Sequence, residues 1–152
     1  MYEWVKMATF AAVLLEHDSL VEVDGTLNLT AEERRKRILG WQTEAGEQFY
    51  FELPRGIYLH DEDLVHIPDR DLVLRVAPRP EPVMTVRASS PLQLLRASYH
   101  LGNRHVPLQI SETWLRFPPD PVIAEMLQEM GLTVEEEIVP FYPEVGAYHH
   151  HH

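Results

Sequence analysis

The sequence predicts an α+β protein of two domains, a small all-β domain followed by a ferredoxin-like βαββαβ domain. Three observations carry this reading. Up to about Ala77 the hydrophobic pattern is one of short β-rich stretches set apart by turn residues; beyond Val83 strands alternate with helices; and Pro78-Arg79-Pro80-Glu81-Pro82 stands between the two patterns. The chain is accordingly divided into an all-β domain at 1–77, a linker at 78–82, a second domain at 83–142 and a tail at 143–152.

In the first part, Phe10 to Leu15 and Ser19 to Val23 read as strands. Thr30-Ala31-Glu32-Glu33 matches a capping box, where a threonine hydroxyl and a glutamate carboxylate each accept an N–H at a helix start. Gly40 interrupts the segment after it, and Arg37, Leu39, Trp41 and Thr43 share one face at strand spacing. At most one helical turn, then a strand, is expected there. Phe49-Tyr50-Phe51-Glu52-Leu53 is the clearest strand, closed by Pro54 with Gly56 as a turn, and Leu72 to Val76 is another. The alternating prolines of 78–82 fix φ and lack N–H donors, so that segment is expected to stay extended and outside any ladder.

In the second part the expected order is strand (Val83 to Arg87), helix (Pro91 to Leu101), strand (Val106 to Ile110), strand (Thr113 to Phe117), helix (Pro121 to Met130) and strand (Thr133 to Pro140). Ser90 and Asp120 are N-cap residues, with Pro91 and Pro121 at the first helical positions, where a missing N–H costs nothing. Gly131 supplies the left-handed residue that ends the second helix.

Composition narrows the function. Thirteen Lys+Arg against 24 Asp+Glu leave a net charge of −11 in 152 residues, which disfavours a nucleic-acid partner and attracts cations. There is no cysteine, so disulfides, thiolate metal sites and a cysteine nucleophile are excluded, and a transition metal must be held by His, carboxylate, backbone or water. The apolar run Met7 to Leu15 is too short to span a bilayer, no small-residue cleavage site comes after it, and a cytoplasmic protein is expected.

Nine histidines are the residues to follow, four of them at His149, His150, His151 and His152. His17, His60 and His66 sit among polar or acidic loop residues and read as surface histidines. His100 and His105 are five apart, not the four that sets two imidazoles on one helical face; by spacing alone each is a packing or capping residue. Glu135-Glu136-Glu137 lies on a strand, where alternate residues face opposite sides, and reads as a solvated edge rather than a paired-carboxylate site. Asp61-Glu62-Asp63 lacks the alternating ligands of a calcium loop. No phosphate-binding loop, nucleophile elbow or zinc-protease helix is present.

The run from Leu95 to Ile110, centred on Gly102-Asn103-Arg104-His105, resembles the signature of the UreE urease accessory proteins, the nickel chaperones of urease assembly. The resemblance extends to Leu29 through Arg35, Leu53-Pro54-Arg55-Gly56, Asp63-Leu64, Met126-Leu127, Gly131-Leu132 and Phe141 through Tyr148. It implies an all-β domain for protein contacts, a ferredoxin-like metal-binding domain, and a homodimer in which His105 from both subunits holds Ni(II) near the two-fold axis. It implies the urease apoprotein complex and the accessory GTPase as partners, a binding protein rather than an enzyme, and no membrane or nucleic-acid role. Zn(II), Cu(II) and Co(II) are the competing ions in vitro.

Two departures from the pattern stand out. The histidines that many relatives carry before the second helix are replaced here by Phe117-Pro118-Pro119-Asp120-Pro121, and Ser98 stands where some have cysteine. His149–His152 read either as a minimal native tail or as an expression tag; in both cases they are secondary ligands tethered near the axis. The rival readings are a metal-dependent hydrolase with His105 as one ligand and His100 or a carboxylate as base, and a scaffolding adaptor without metal.

Overall fold

The computed structural model describes residues 9–17 and 20–146; Met7, Ser19, Tyr148 and His149–His152 lie outside them. The described residues form two compact units, the first ending at Pro78 and the second beginning at Arg79. Among them no helix is long and apolar enough to cross a membrane.

The first unit is built from β1 (Thr9–Ala11), β2 (Val13–Leu15), β3 (Gly25–Leu29), β4 (Ile38–Gln42), β5 (Gln48–Glu52), β6 (Leu64–Ile67) and β7 (Leu72–Pro78). They make two sheets, β1-β5-β4 and β2-β6-β7-β3. Alternation sends Leu39, Phe49 and Phe51 of the first sheet and Leu27, Leu29, Val65, Ile67, Leu74 and Val76 of the second into one core. The capping box forms as read: Thr30 N–H reaches Glu33 Oε1 (2.9 Å) and Glu33 N–H reaches Thr30 Oγ1 (3.2 Å). Only the single 3₁₀ turn Glu33–Arg35 intervenes before β4. Arg34 is buried there and donates to the Leu29 carbonyl at 2.9 Å.

Three expectations for this half are corrected. Phe10 to Leu15 is not one strand: the chain leaves the first sheet at buried Ala12, whose N–H bonds to the Glu52 carbonyl, and joins the second as β2. The described part of Ser19 to Val23 is not a strand. Leu20 is fully exposed and Val21 is 42% exposed, and residues 20–23 join no ladder, whereas Gly25–Leu29 pairs in parallel with β7. The proline segment is not outside the ladders either. Pro78 closes β7 opposite Leu29, and Pro82 lies in the next strand opposite Ile138. Both prolines sit at strand ends, and the strand on the other side of Pro82 pairs only from Met84 onward, so the missing N–H breaks no bond on that side.

The second unit runs β8 (Glu81–Arg87), α1 (Pro91–Asn103), β9 (Gln109–Ile110), β10 (Trp114–Phe117), α2 (Pro121–Glu129), β11 (Thr133–Val139). The antiparallel order β11-β8-β10-β9 is that of a ferredoxin-like domain. The helices lay Leu94, Ala97, Leu101, Ile123 and Leu127 over Val86, Leu115 and Phe117. Both N-caps form as read: Ser90 Oγ accepts from Gln93 N–H, and Asp120 Oδ1 accepts from the N–H groups of Val122 and Ile123. The strand expected from Val106 is shortened to two residues. Val106 N–H is turned back to close α1, Pro107 has no donor, and the Leu108 carbonyl accepts from Glu144 N–H.

Candidate metal centre

His105 owes its position to the way α1 ends. Val106 N–H bonds back to the Leu101 carbonyl at 3.3 Å and His105 N–H to the Gly102 carbonyl at 3.0 Å. Val106 joins the core cluster that holds Leu101. This pair of bonds, with an apolar contact beneath it, is a Schellman motif, which requires a left-handed residue just past the C-cap. That residue is usually glycine; here it is His105, with φ +56°. A side chain in this conformation costs about 1 kcal/mol, although histidine is one of the residues that tolerates it best. The imidazole is thereby held on a fixed turn and faces solvent. Among the described residues it has no hydrogen bond or ion pair.

The helix leading to it is apolar on two sides. Leu94, Ala97 and Leu101 face the core, while Leu92, Leu95 and Tyr99 repeat the same spacing on the opposite face and are 54%, 66% and 66% exposed. Gly102 continues that outer row with open space around it. Sequence reasoning missed this stripe, and its signal was two interleaved i, i+3, i+7 series within Leu92 to Leu101.

The other histidines go elsewhere. His100 is half-buried on α1 with its ring edge-on to Tyr99. His17 Nε2 lies 2.5 Å from Asp63 Oδ1, and the N–H of His60 bonds to Asp63 Oδ2; both imidazoles are mostly exposed. His66 is not in a loop but half-buried on β6. Glu135 and Glu136 are exposed, whereas Glu137 lies between the guanidinium groups of Arg87 and Arg116 at 3.8 and 3.9 Å, paired with cations rather than with another acid. The Ser98 hydroxyl donates to the Leu94 carbonyl, and Asp120 is committed to capping α2. Among the described residues of one chain, no three His, Asp or Glu are grouped so as to hold a metal ion.

Two family models match the chain. The model of the UreE urease accessory protein C-terminal domain matches residues 81–152, and that of the N-terminal domain matches residues 13–77. The chain belongs to the UreE urease accessory protein family. The urease accessory protein UreE of Nostoc punctiforme is 50% identical over 127 residues, covering 84% of this chain and 86% of its own length. Its counterpart in Thermosynechococcus vestitus is 51% identical over 125 residues, covering 82% and 87%. These UreE relatives are named as accessory proteins, not as catalysts.

Proposed function

We propose that this UreE family member is a nickel metallochaperone of urease maturation, a carrier rather than an enzyme, in which Ni(II) is cargo held between His105 of two subunits. The observation that carries the reading is the pairing of an exposed imidazole, fixed at a left-handed position, with an unpaired apolar row on the helix leading to it. A two-fold contact along Leu92, Leu95 and Tyr99 would bury the same patch on both copies and bring the two helix ends near the axis, turning one histidine per chain into two ligands. Imidazole suits Ni(II), and two protein ligands leave positions open for exchange. Affinity in the micromolar range, about 8 kcal/mol, would collect the ion and still release it.

His149–His152 complete the shell as secondary ligands. The first unit supplies the protein contacts, and the accessory GTPase and the urease apoprotein complex in the cytoplasm are the recipients. A bound imidazole must be unprotonated, so nickel binding weakens as pH falls.

The test is calorimetric titration of Ni(II), with Zn(II), Cu(II) and Co(II) alongside, into the full chain carrying serine at positions 149–152. One ion per dimer supports the carrier, one per monomer the hydrolase, and none the metal-free adaptor.

A further inference from the structure

β4 is an edge of the sheet β1-β5-β4, with no strand on its outer side among the described residues. Leu53 N–H bonds to the Arg37 carbonyl and Thr43 N–H to the Glu47 carbonyl, so Arg37, Leu39, Trp41 and Thr43 turn their backbone groups toward β5. Ile38, Gly40 and Gln42 therefore present theirs outward, and all three residues are exposed. Natural edges are commonly blunted by charge, proline or a bulge. β11 carries Glu135, Glu136 and Glu137, whereas Ile38-Leu39-Gly40-Trp41-Gln42 holds no charge and no proline. The charge lies just outside it: Arg34-Arg35-Lys36-Arg37 leads into β4, in a chain of net charge −11. Arg34 is buried and Arg37 pairs with Glu52, while Arg35 and Lys36 are exposed. The bond from Leu53 brings exposed Arg55 to the same end. Of the carboxylates there, Glu33 closes the capping box and Glu52 is taken by Arg37, which leaves exposed Glu32 against three cations.

We propose that the β4 edge docks an extended acidic segment of a partner protein, which adds an antiparallel strand to the sheet with its carboxylates beside Arg35, Lys36 and Arg55. The inference rests on the first unit supplying the protein contacts, as proposed above, and names the surface and the chemistry it reads. Backbone pairing at Ile38, Gly40 and Gln42 supplies affinity, and the flanking charge fixes direction. The cations stand at the amino end of β4, so in an antiparallel partner the acids come at the carboxyl end. Gly40 leaves room for a bulky side chain opposite it, beside the half-buried ring of Tyr50, whose Cε1 lies 3.3 Å from where a Cβ would stand. A phosphate backbone offers acceptors alone and would leave the outward carbonyls unmet. A second copy paired about Gly40 would offer Lys36 a single carboxylate, Glu44, and bring a second basic run with it.

The experiment follows the backbone amides of the isotope-labelled full chain by NMR during titration with synthetic peptides. One alternates valine and threonine and ends in a run of aspartates; a second has lysines in their place; a third carries the aspartates at its amino end. The first should shift the amides of Ile38, Gly40 and Gln42 and bind about tenfold more tightly than the other two. Arg35→Glu together with Lys36→Glu should lower its affinity about tenfold. Gln42→Pro, which removes an outward N–H and leaves the β5 ladder intact, should lower it by a similar factor, whereas Gln42→Ala, which keeps the N–H, leaves it unchanged. The charge changes touch only exposed side chains, so they decide the matter even if Gln42→Pro fails to fold. Equal binding of the three peptides, or shifts confined to other parts of the first unit, would overturn the β4 proposal and leave the contact role standing. No shift anywhere in the first unit with any peptide would overturn both. Shifts of the same amides with protein concentration alone would give the edge to a second copy, and that too would overturn the proposal.

Discussion

The two helices of the second unit end in the same backbone motif with different residues at its critical position. Past α2, Gly131 sits at φ +90°, with its N–H on the Gln128 carbonyl and Leu132 N–H on the Leu127 carbonyl. Past α1, His105 sits at φ +56° with the equivalent bonds. At α2 the left-handed turn is filled by the one residue with no Cβ penalty. At α1 it is filled by a bulky side chain that leads to no hydrogen bond within the described residues. A conformation that works against stability at an exposed turn fits the ligand role proposed for His105, and the exposed apolar row beside it is found on α1, not on α2.

The largest way to break the comparison is to make the two ends alike. His105→Gly should lower Ni(II) affinity in the serine-tailed chain at least a hundredfold while raising stability by about 1 kcal/mol, a gain of roughly 4–8 °C in Tm for a domain of this size. His105→Ala should lose the metal equally but gain no stability, since alanine bears the same Cβ. Calorimetric titration and thermal unfolding check both.

The reverse exchange sharpens the point. Gly131→His should cost about 1–2 kcal/mol, because a Cβ at φ +90° is strained and would approach Gln93 Nε2 at 3.2 Å. It should add no nickel site, because no apolar row brings a second copy to that end. Denaturant unfolding together with the metal titration reads the two effects.

Smaller effects belong to the helix starts. Asp120 serves two N–H groups and Ser90 one, so Asp120→Ala should cost about 1 kcal/mol and Ser90→Ala somewhat less, both without effect on nickel. The smallest is a control in the other unit. There the hydrogen bonds from the Arg70 guanidinium hold the Glu47 carboxyl below its ordinary 4.5. A depressed folded value gives stability that is present above the unfolded value and lost as pH falls through the folded one. The stability difference between the wild-type chain and Glu47→Gln should therefore be full at pH 6 and shrink as pH falls below 4.5, in urea titrations at each pH.

The same contrast explains what could be read from the sequence. Helix starts announce themselves locally: Ser90-Pro91, Asp120-Pro121 and Thr30 with Glu33 each carry their hydrogen-bond partner within three residues. Gly131 marks an end just as plainly. The end of α1 was obscure because Gly102, the nearby glycine, lies inside the helix, while the left-handed position three residues on holds a histidine. The sheets of the first unit were harder still. Nothing local says that Gly25–Leu29 pairs in parallel with β7, forty-nine residues away, or that Ala12 passes the chain from one sheet to the other.

The claim that one ion is shared by His105 of two subunits is tested most directly by mixing subunits. Serine-tailed chains with His105 and with His105→Ala, co-refolded at equal amounts, form the two homodimers and the mixed dimer in a ratio of about 1:2:1 for a random two-fold assembly. If both imidazoles are required, the nickel bound at a concentration that saturates the wild-type dimer falls to about one quarter of its value. If each subunit binds alone, it falls only to about one half, and that result would contradict the account.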